Sequence, residues 1–459
     1  MRIARFPVIF AAAVSALAAG RAFTSYASVK AVLDEQRDGL PAELRNADAA
    51  KWTAWSQRQD QAIRARLEQG DLDSMVNLLL FGTSFTKQPR ISVENITEAS
   101  KAGALRARVD DLVAGLRNPN GNERLVFLNG LVRRRGIDLE SPATGVFIYN
   151  NLQRVLQERK TLAERAEQAK RLNLPDLDRA SLFSDRGVSL DTSIFPDFSI
   201  EQTLRDLKNR GVLRENQVAR VAVIGPGLDF IDKNEESGYD YYPQQTLQPF
   251  ALYDSLVRLG LAKANAVSMS VFDISSRVID HLQRARERAR KNVPNTGYVI
   301  QLPRDVARPW PPELIAYWRS LGDRVGTAVT PIRPPDIFRP LNGGQGLETR
   351  AVRVRPEVVL ACEPVDLNIV LERIDLAAPG SEPAGFDLIV GTNVFLYYDA
   401  FEQTLALENA GAMLKAGGLL LTNDRLPEVP GGSMRQAGVT EVRYDDRGAR
   451  DAVGWYQKR

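Results

Sequence analysis

The sequence is poor in the side chains that enzymes most often recruit for chemistry. Among its 459 residues there is one cysteine, Cys362, and one histidine, His281. A single cysteine excludes an intrachain disulfide and any zinc site built on several thiolates. A single histidine excludes every scheme that needs two imidazoles, and a Ser-His-Asp hydrolase would have to use His281 itself. An excess of one charge is missing too. Sixty Lys and Arg against 57 Asp and Glu leave a formal net charge of +3, which is no footprint for a nucleic-acid partner. With 44% apolar and 25% charged residues, the composition is that of an ordinary globular protein. The length leaves room for about three domain-sized units at ~150 residues each.

Long apolar runs are absent except at the start. Arg2 and Arg5 precede an alanine-rich apolar run from Phe6 to Gly20. Ala16 and Ala18, and again Ser25 and Ala27, supply small-residue cleavage points. The run is shorter than the roughly 20 residues of a spanning helix. Residues 1–27 read as a secretory signal peptide, or as an uncleaved anchor that tethers the chain to a membrane through residues 6–20. The first reading implies an exported or periplasmic protein and the second an inner-membrane-anchored one. If the run is no signal, the protein is cytoplasmic and the run a buried helix.

Residues 28–184 predict an all-α domain. In Lys51–Gly70, Trp52, Trp55, Ile63 and Leu67 recur at helical spacing. Gly70 followed by Asp71 predicts a stop and a second helix through Phe81, a helical hairpin. Further helices are expected over Ile96–Leu116, Asn122–Arg135 and Val146–Leu172. Arg133-Arg134-Arg135 reads as a solvated helix C-terminus, and Trp52 and Trp55 read as core.

Residues 185–459 change grammar. Strands are expected at Val218–Ile224, Ala266–Phe272, Tyr298–Leu302, Val352–Ala361, Asp366–Leu371, Phe386–Val390, Leu419–Thr422, Val439–Tyr444 and Ala452–Gln457. Helices are expected at Ile200–Asn209, Pro249–Leu261, Ile274–Arg290 and Ala400–Lys415. This alternation predicts an α/β fold, a parallel sheet with helices on both faces, closed by a hairpin around Asp445-Asp446-Arg447-Gly448.

In such a sheet, ligands sit at the carboxyl ends of the strands, beside the topological switch point. Val218–Ile224 runs straight into Gly225-Pro226-Gly227, whose glycines let a turn tighten and a ligand approach the backbone. The next strand ends at Asp273, an acidic tip suited to a ribose diol. A nicotinamide-binding Rossmann domain fits less well. Phe230 stands where its third glycine belongs, and Asp273 lies 46 residues beyond Gly227 where that fold expects roughly 20. An NAD-dependent oxidoreductase is therefore the weaker alternative.

The segment Phe386–Asp424 resembles the second half of a class I S-adenosylmethionine-dependent methyltransferase. It carries Phe386, Asp387, Leu388, Ile389 and Asn393, then Leu414, Lys415, Gly417 and Gly418 ahead of an apolar strand. Its Asn393, Val394, Tyr397 and Asp399 are similar to the wording of the chemotaxis-receptor glutamate methyltransferases. The resemblance covers residues 185–459 and implies a Rossmann-like seven-stranded methyltransferase sheet with an antiparallel last strand. It implies S-adenosyl-L-methionine as cofactor, with Gly225, Pro226, Gly227 and Asp229 in the cofactor turn and Asp273 on the ribose hydroxyls. It places Asp375, or Glu363 in competition, on the adenine amino group, and Asn393 near the amino-acid moiety and methyl group. The chain departs from the family at Asp229, where a third glycine is usual, and in the stretches 229–248 and 304–349.

Methyl transfer is catalysed largely by holding nucleophile and methyl group in line, so histidine poverty is no obstacle. Tyr397 is the candidate catalytic side chain beside Asn393, since tyrosine faces tolerate a nearby cation, and Tyr398 shares that position. Asp399 reads as the N-cap of the helix opening at Ala400. Tyr239, Tyr241 and Tyr242, with Asp240 and Pro243, read equally as a lid or substrate wall and as a surface loop. His281 reads as part of a solvated basic helix face. The acceptor is expected to be a small molecule or a protein carboxylate. The competing expectation is a non-catalytic exported or tethered protein on a methyltransferase scaffold.

Overall fold

The β-branched run Val221–Ile224 divides its side chains between two cores. Val221 and Val223 pack on one side of a sheet, Ala222 and Ile224 on the other, as the two-residue period of a strand buried on both faces requires. The computed structural model describes residues 21–35, 40–91, 99–171, 187–231, 239–291, 293, 297–306, 309–337, 346–374, 385–445 and 449–459. The apolar run 6–20 and Asp375 lie outside the described residues.

The described residues begin with β1 (Arg21–Phe23), α1 (Tyr26–Glu35), α2 (Ala49–Phe81), α3 (Ala99–Arg117), α4 (Glu123–Arg134), α5 (Ala143–Arg171) and α6 (Ile194–Asn209). Then come β2 (Arg220–Ile224), α7 (Gln248–Arg258), β3 (Ser268–Asp273), α8 (Ser276–Lys291), β4 (Val299–Asp305), α9 (Pro312–Ser320), β5 (Gly326–Val329) and β6 (Leu347–Val354). The remainder is α10 (Pro356–Ala361), β7 (Cys362–Asp366), β8 (Glu372–Ile374), β9 (Phe386–Gly391), α11 (Ala400–Met413), β10 (Leu414–Thr422), β11 (Met434–Arg443) and β12 (Arg450–Lys458).

Among the described residues, seven strands form the main sheet in the order β11-β12-β10-β9-β2-β3-β7. Counted along the chain, these are its sixth, seventh, fifth, fourth, first, second and third strands. The parallel pairings β2–β3, β2–β9, β3–β7 and β9–β10 make the body of the sheet, and β12 runs antiparallel to β10 and β11. The order reverses between β2 and β9. That gap is the topological switch point, and the Gly225 loop leaves β2 beside it.

Several expectations change for physical reasons. The strand expected over Asp366–Leu371 lies earlier, at β7, because Pro364 is tolerated on an edge strand with no outer neighbour. Val352–Ala361 divides into the end of β6 and the short helix α10, which Pro356 opens. The stretch 304–349 is not irregular throughout: α9 and an antiparallel sheet of order β4-β6-β5 occupy much of it. Gly70 does not stop a helix. α2 runs unbroken for 33 residues, and Gly70 is there because a Cβ would come 1.8 Å from the carbonyl oxygen of Val188.

Among the described residues, the elements within 28–184 are helical, as expected, but the N-terminal region is not a separate body. β1 pairs with β8, and Trp52 Nε1 donates to the Thr24 carbonyl at 2.7 Å. Val29, Val32, Trp52, Trp55 and Ile63 share a core with Ile224, Phe272 and Ile389 of the sheet. From Leu72 onward, α2 to α5 build a third core, into which Phe230 and Ile231 insert from the loop after β2. The Arg133–Arg135 segment is the expected helix end. His281 is not on a solvated face. Its Nε2 lies 2.9 Å from the Tyr298 hydroxyl, and burial, with Arg288 and Arg284 nearby, lowers its pKa to about 4.

Candidate functional site

At the carboxyl ends of β2, β3 and β9 the strands open into a cleft. Gly225, Pro226 and Gly227 form its floor. Gly225 sits at φ +59°, where a Cβ would lie 2.6 Å from Val394 Cγ2. Gly227 sits at φ +72°, where a Cβ would lie 2.4 Å from the Leu190 carbonyl oxygen. Both positions combine left-handed backbone with close approach, which leaves glycine as the residue that fits.

Asp273 enters from the tip of β3. Its Oδ1 accepts the Ser275 N–H at 2.8 Å, while Oδ2 is buried without a hydrogen-bond partner. Burial pushes its pKa up to about 7; backbone N–H groups of Ser275, Ile274 and Gly227 oppose the shift and Asp366 on the adjacent strand adds to it. Asp366 itself is engaged, at 3.0 Å from Arg21 and 2.8 Å from Arg64. A second unfilled acceptor, Gln248 Oε1, belongs to the same cleft, its amide Nε2 donating to Thr392 Oγ1 at 2.7 Å.

Asn393 follows β9 at φ +57° and lines the cleft. Asn423 holds it twice, accepting its backbone N–H at 2.8 Å and donating to its Oδ1 at 2.9 Å. Tyr397 and Tyr398 line the same cleft from a turn of 3₁₀ helix and the residue after it. Asp399 is occupied as a cap. It accepts the Glu402 N–H at 2.8 Å, and Glu402 accepts the Asp399 N–H at 2.9 Å, a reciprocal capping box.

Asp229 is placed differently from its neighbours. It lines a second chamber together with Phe195, Tyr239, Tyr242, Gln245, Arg304 and Trp310. Thr192 lines both cavities. Asp229 accepts the Tyr242 hydroxyl at 2.6 Å. The tyrosine loop is therefore an interior wall, with Tyr239, Tyr241 and Tyr242 only 4%, 9% and 6% exposed. The helical region fixes it. Asp240 accepts the N–H and hydroxyl groups of Thr83 and Ser84, and buried Arg124 donates to the carbonyls of Asp229, Phe230 and Tyr242.

Sequence reasoning missed three parts of the cleft. The strap Val188–Thr192 forms one side; its only local mark is the glycine pair Gly70 and Gly187, where α2 and the strap cross. Leu367 and Ile369, just beyond β7, form an apolar end, hidden by the misplaced strand. Glu363 lies inside β7 and is not among the residues lining the cleft. The middle of α2 is the third part. Arg64 donates to the Ile274 carbonyl at 3.0 Å, Arg66 donates to that of Tyr397 at 2.7 Å, and the Arg66 carbonyl accepts the Val188 N–H at 3.0 Å. One helix thus holds three rim segments by their backbones. Among the described residues, no cluster of His, Cys, Asp and Glu has the makings of a metal site, and no helix is long and apolar enough to cross a membrane.

No protein-family model matches the sequence, and no curated protein matches it. Solved structures similar to it include the N-methyltransferase NodS from Bradyrhizobium japonicum WM9, 11% identical, covering 57% of this chain and 96% of that one at a TM-score of 0.27. Magnesium protoporphyrin IX methyltransferase from Synechocystis PCC 6803 with bound SAM is 11% identical, covering 64% of this chain and 96% of that one at a TM-score of 0.25. Human N-acetylserotonin methyltransferase in complex with SAM is 11% identical, covering 91% and 99% at 0.25. Likenesses this distant carry no weight for the reaction.

Proposed function

We infer that the protein is an S-adenosylmethionine-dependent methyltransferase acting on a small molecule. The observation that carries this reading is the unpartnered Oδ2 of Asp273, at the strand tip beside two glycines whose Cβ positions are filled by neighbouring atoms. A buried acceptor left unsatisfied costs roughly 1–3 kcal/mol, and a ligand diol would remove that cost. The residues fit the cofactor along its length. Asp273 accepts from the ribose hydroxyls, Leu367 and Ile369 cover an adenine ring, and Gln248 Oε1 accepts from a donor at the amino-acid end. Gly225 and Gly227 let the chain between them lie against backbone.

When bound, the cofactor supplies a methyl group already activated on a sulfonium. What remains for the chain is to orient a nucleophile, keep water out and accept the nucleophile's proton. Asn393 and Tyr397 line the cleft and position the reacting groups. The adjoining second chamber is lined in part by Phe195, Tyr239, Tyr242 and Trp310, which favours a small-molecule acceptor over a protein carboxylate.

Calorimetric titration of the full chain with S-adenosylhomocysteine tests the reading. Wild type is expected to bind, and Asp273→Ala to bind about a hundredfold more weakly, two charge-assisted hydrogen bonds being lost. No binding by folded wild type removes the proposal. An Asp273→Ala variant that binds equally well removes the role given to Asp273.

A further inference from the structure

Resting on the methyltransferase reading, we propose that the second chamber is the acceptor site and takes a planar hydroxylated aromatic compound bearing a carbonyl-type oxygen, such as a hydroxybenzoate. The chamber carries two buried donors with no hydrogen-bond partner, Arg304 Nε and Trp310 Nε1. Arg304 is only 8% exposed. Its Nη1 is committed to Glu348 Oε2 at 3.1 Å, and its guanidinium lies 5.5 Å from the Trp310 ring centre and 5.8 Å from that of Trp318. That stack and ion pair hold the guanidinium plane, so Nε is presented in a fixed direction. Two unfilled N–H donors call for an oxygen acceptor on the ligand.

Asp229, on the same chamber, has the reverse character. Its carboxylate receives the Tyr242 hydroxyl at 2.6 Å on Oδ2, with the Arg124 guanidinium 3.8 Å from Oδ1, and a carboxylate's several lone pairs let it accept a ligand hydroxyl as well. Asp229 is two residues from Gly227 of the cleft, and Thr192 lines both cavities. The hydroxyl bound at Asp229 is therefore the one presented for methylation, which would form its O–CH3 bond as the sulfonium S–CH3 bond breaks, with S-adenosylhomocysteine leaving and the hydroxyl proton passing to the Asp229 carboxylate. The aromatic walls select a ring. Phe195 meets Trp310 edge to face at 5.8 Å, and Tyr239 and Tyr242 complete the sides. Aromatic walls of this kind favour a flat aromatic body over an aliphatic one of equal size.

Calorimetry on the full chain, with and without saturating S-adenosylhomocysteine, tests this with three probes: protocatechuate, catechol and cyclohexanecarboxylate. Wild type is expected to bind protocatechuate at least about tenfold more tightly than either of the others. Arg304→Gln is expected to abolish the preference over catechol while leaving catechol and S-adenosylhomocysteine affinities unchanged. Trp310→Phe, which keeps the ring and removes the N–H, is expected to reduce the same preference; it serves as the test if Arg304→Gln does not fold. Equal affinities for protocatechuate and catechol in wild type, no binding of any probe, or a preference that survives both substitutions would overturn the assignment. If wild type shows the preference but binds no S-adenosylhomocysteine, the methyltransferase reading falls and the ligand class of the chamber stands.

Discussion

The two cavities that share Thr192 have opposite hydrogen-bonding character. The cleft at the switch point is lined by backbone and small residues, and its unfilled polar atoms are acceptors, Asp273 Oδ2 and Gln248 Oε1. The second chamber is lined by rings, and its unfilled polar atoms are donors, Arg304 Nε and Trp310 Nε1. A ligand rich in hydroxyl and ammonium donors is complementary to the first and unsatisfied in the second, and an aromatic acid is the reverse. Selection between the two ligands thus follows from which buried groups each would leave unpaired. The origins differ as well. The first cleft arises from strand tips that any sheet of this order possesses, the second from β4–β6, α9 and the tyrosine loop, elements added around it.

The largest expected effect sharpens the contrast through protonation. The Asp273 carboxyl has a pKa near 7 in the folded protein against 3.8 in its ordinary state. A raised carboxyl pKa contributes stability that is fully present below the unfolded value and is lost as pH rises through the folded one. Relative to Asp273→Asn, ligand-free wild type should therefore lose stability from about pH 4 to about pH 7 and then level off. The total is on the order of 4 kcal/mol, at ~1.4 kcal/mol per tenfold change in proton affinity. Urea unfolding across that window measures it. Arg304→Gln should show no such slope against wild type, since a guanidinium does not titrate there. A wild-type curve parallel to that of Asp273→Asn would mean that the carboxyl is hydrated, and the cleft would lose its distinguishing acceptor.

The glycines offer a test of whether the cavities are separable. A Cβ at Gly225 meets the side chain of Val394, whereas one at Gly227 meets the backbone of Leu190 in the strap between the cavities. Gly227→Ala should cost about 1–3 kcal/mol of stability, from the left-handed conformation and a contact that cannot rotate away. It should weaken both S-adenosylhomocysteine and protocatechuate. Gly225→Ala should weaken S-adenosylhomocysteine alone. If both substitutions affect both ligands alike, the two cavities behave as one.

What was legible in the sequence was local. Gly225-Pro226-Gly227 and Asp273 announce themselves because each stands directly at the end of an apolar run, and the short motif around Asn393 does the same for β9. What stayed hidden depends on contacts between distant segments. Gly70 reads as a helix stop because its chemistry suits one; only the crossing strap, 1.8 Å from its missing Cβ, explains it. Pro364 disguised β7, and with it the apolar end formed by Leu367 and Ile369. Asp229 was assigned to the cofactor turn by its neighbours in sequence, but its side chain lines the second chamber. His281 was read from the charge of its own helix, whereas Tyr298, just before β4, decides its setting.

The smallest effect concerns an acidic residue beside the cleft whose hydrogen bonds the protein itself fills. Asp399 closes the N-terminus of α11 through a reciprocal capping box with Glu402, and both of its cap bonds are formed without any ligand. Asp399→Ala should cost ~1 kcal/mol of stability, the ordinary worth of an N-cap, and leave S-adenosylhomocysteine affinity unchanged. Asp399→Asn or Asp399→Ser should recover most of the loss, because either side chain still accepts the Glu402 N–H. The comparison with Asp273 is then direct. Both are acidic residues beside the same cleft, one with its hydrogen bonds filled by the protein and one with an oxygen left open. A tenfold or greater loss of ligand affinity in Asp399→Ala would show that a filled cap can also serve the ligand, and the unpartnered oxygen would no longer be what marks a binding residue in this protein.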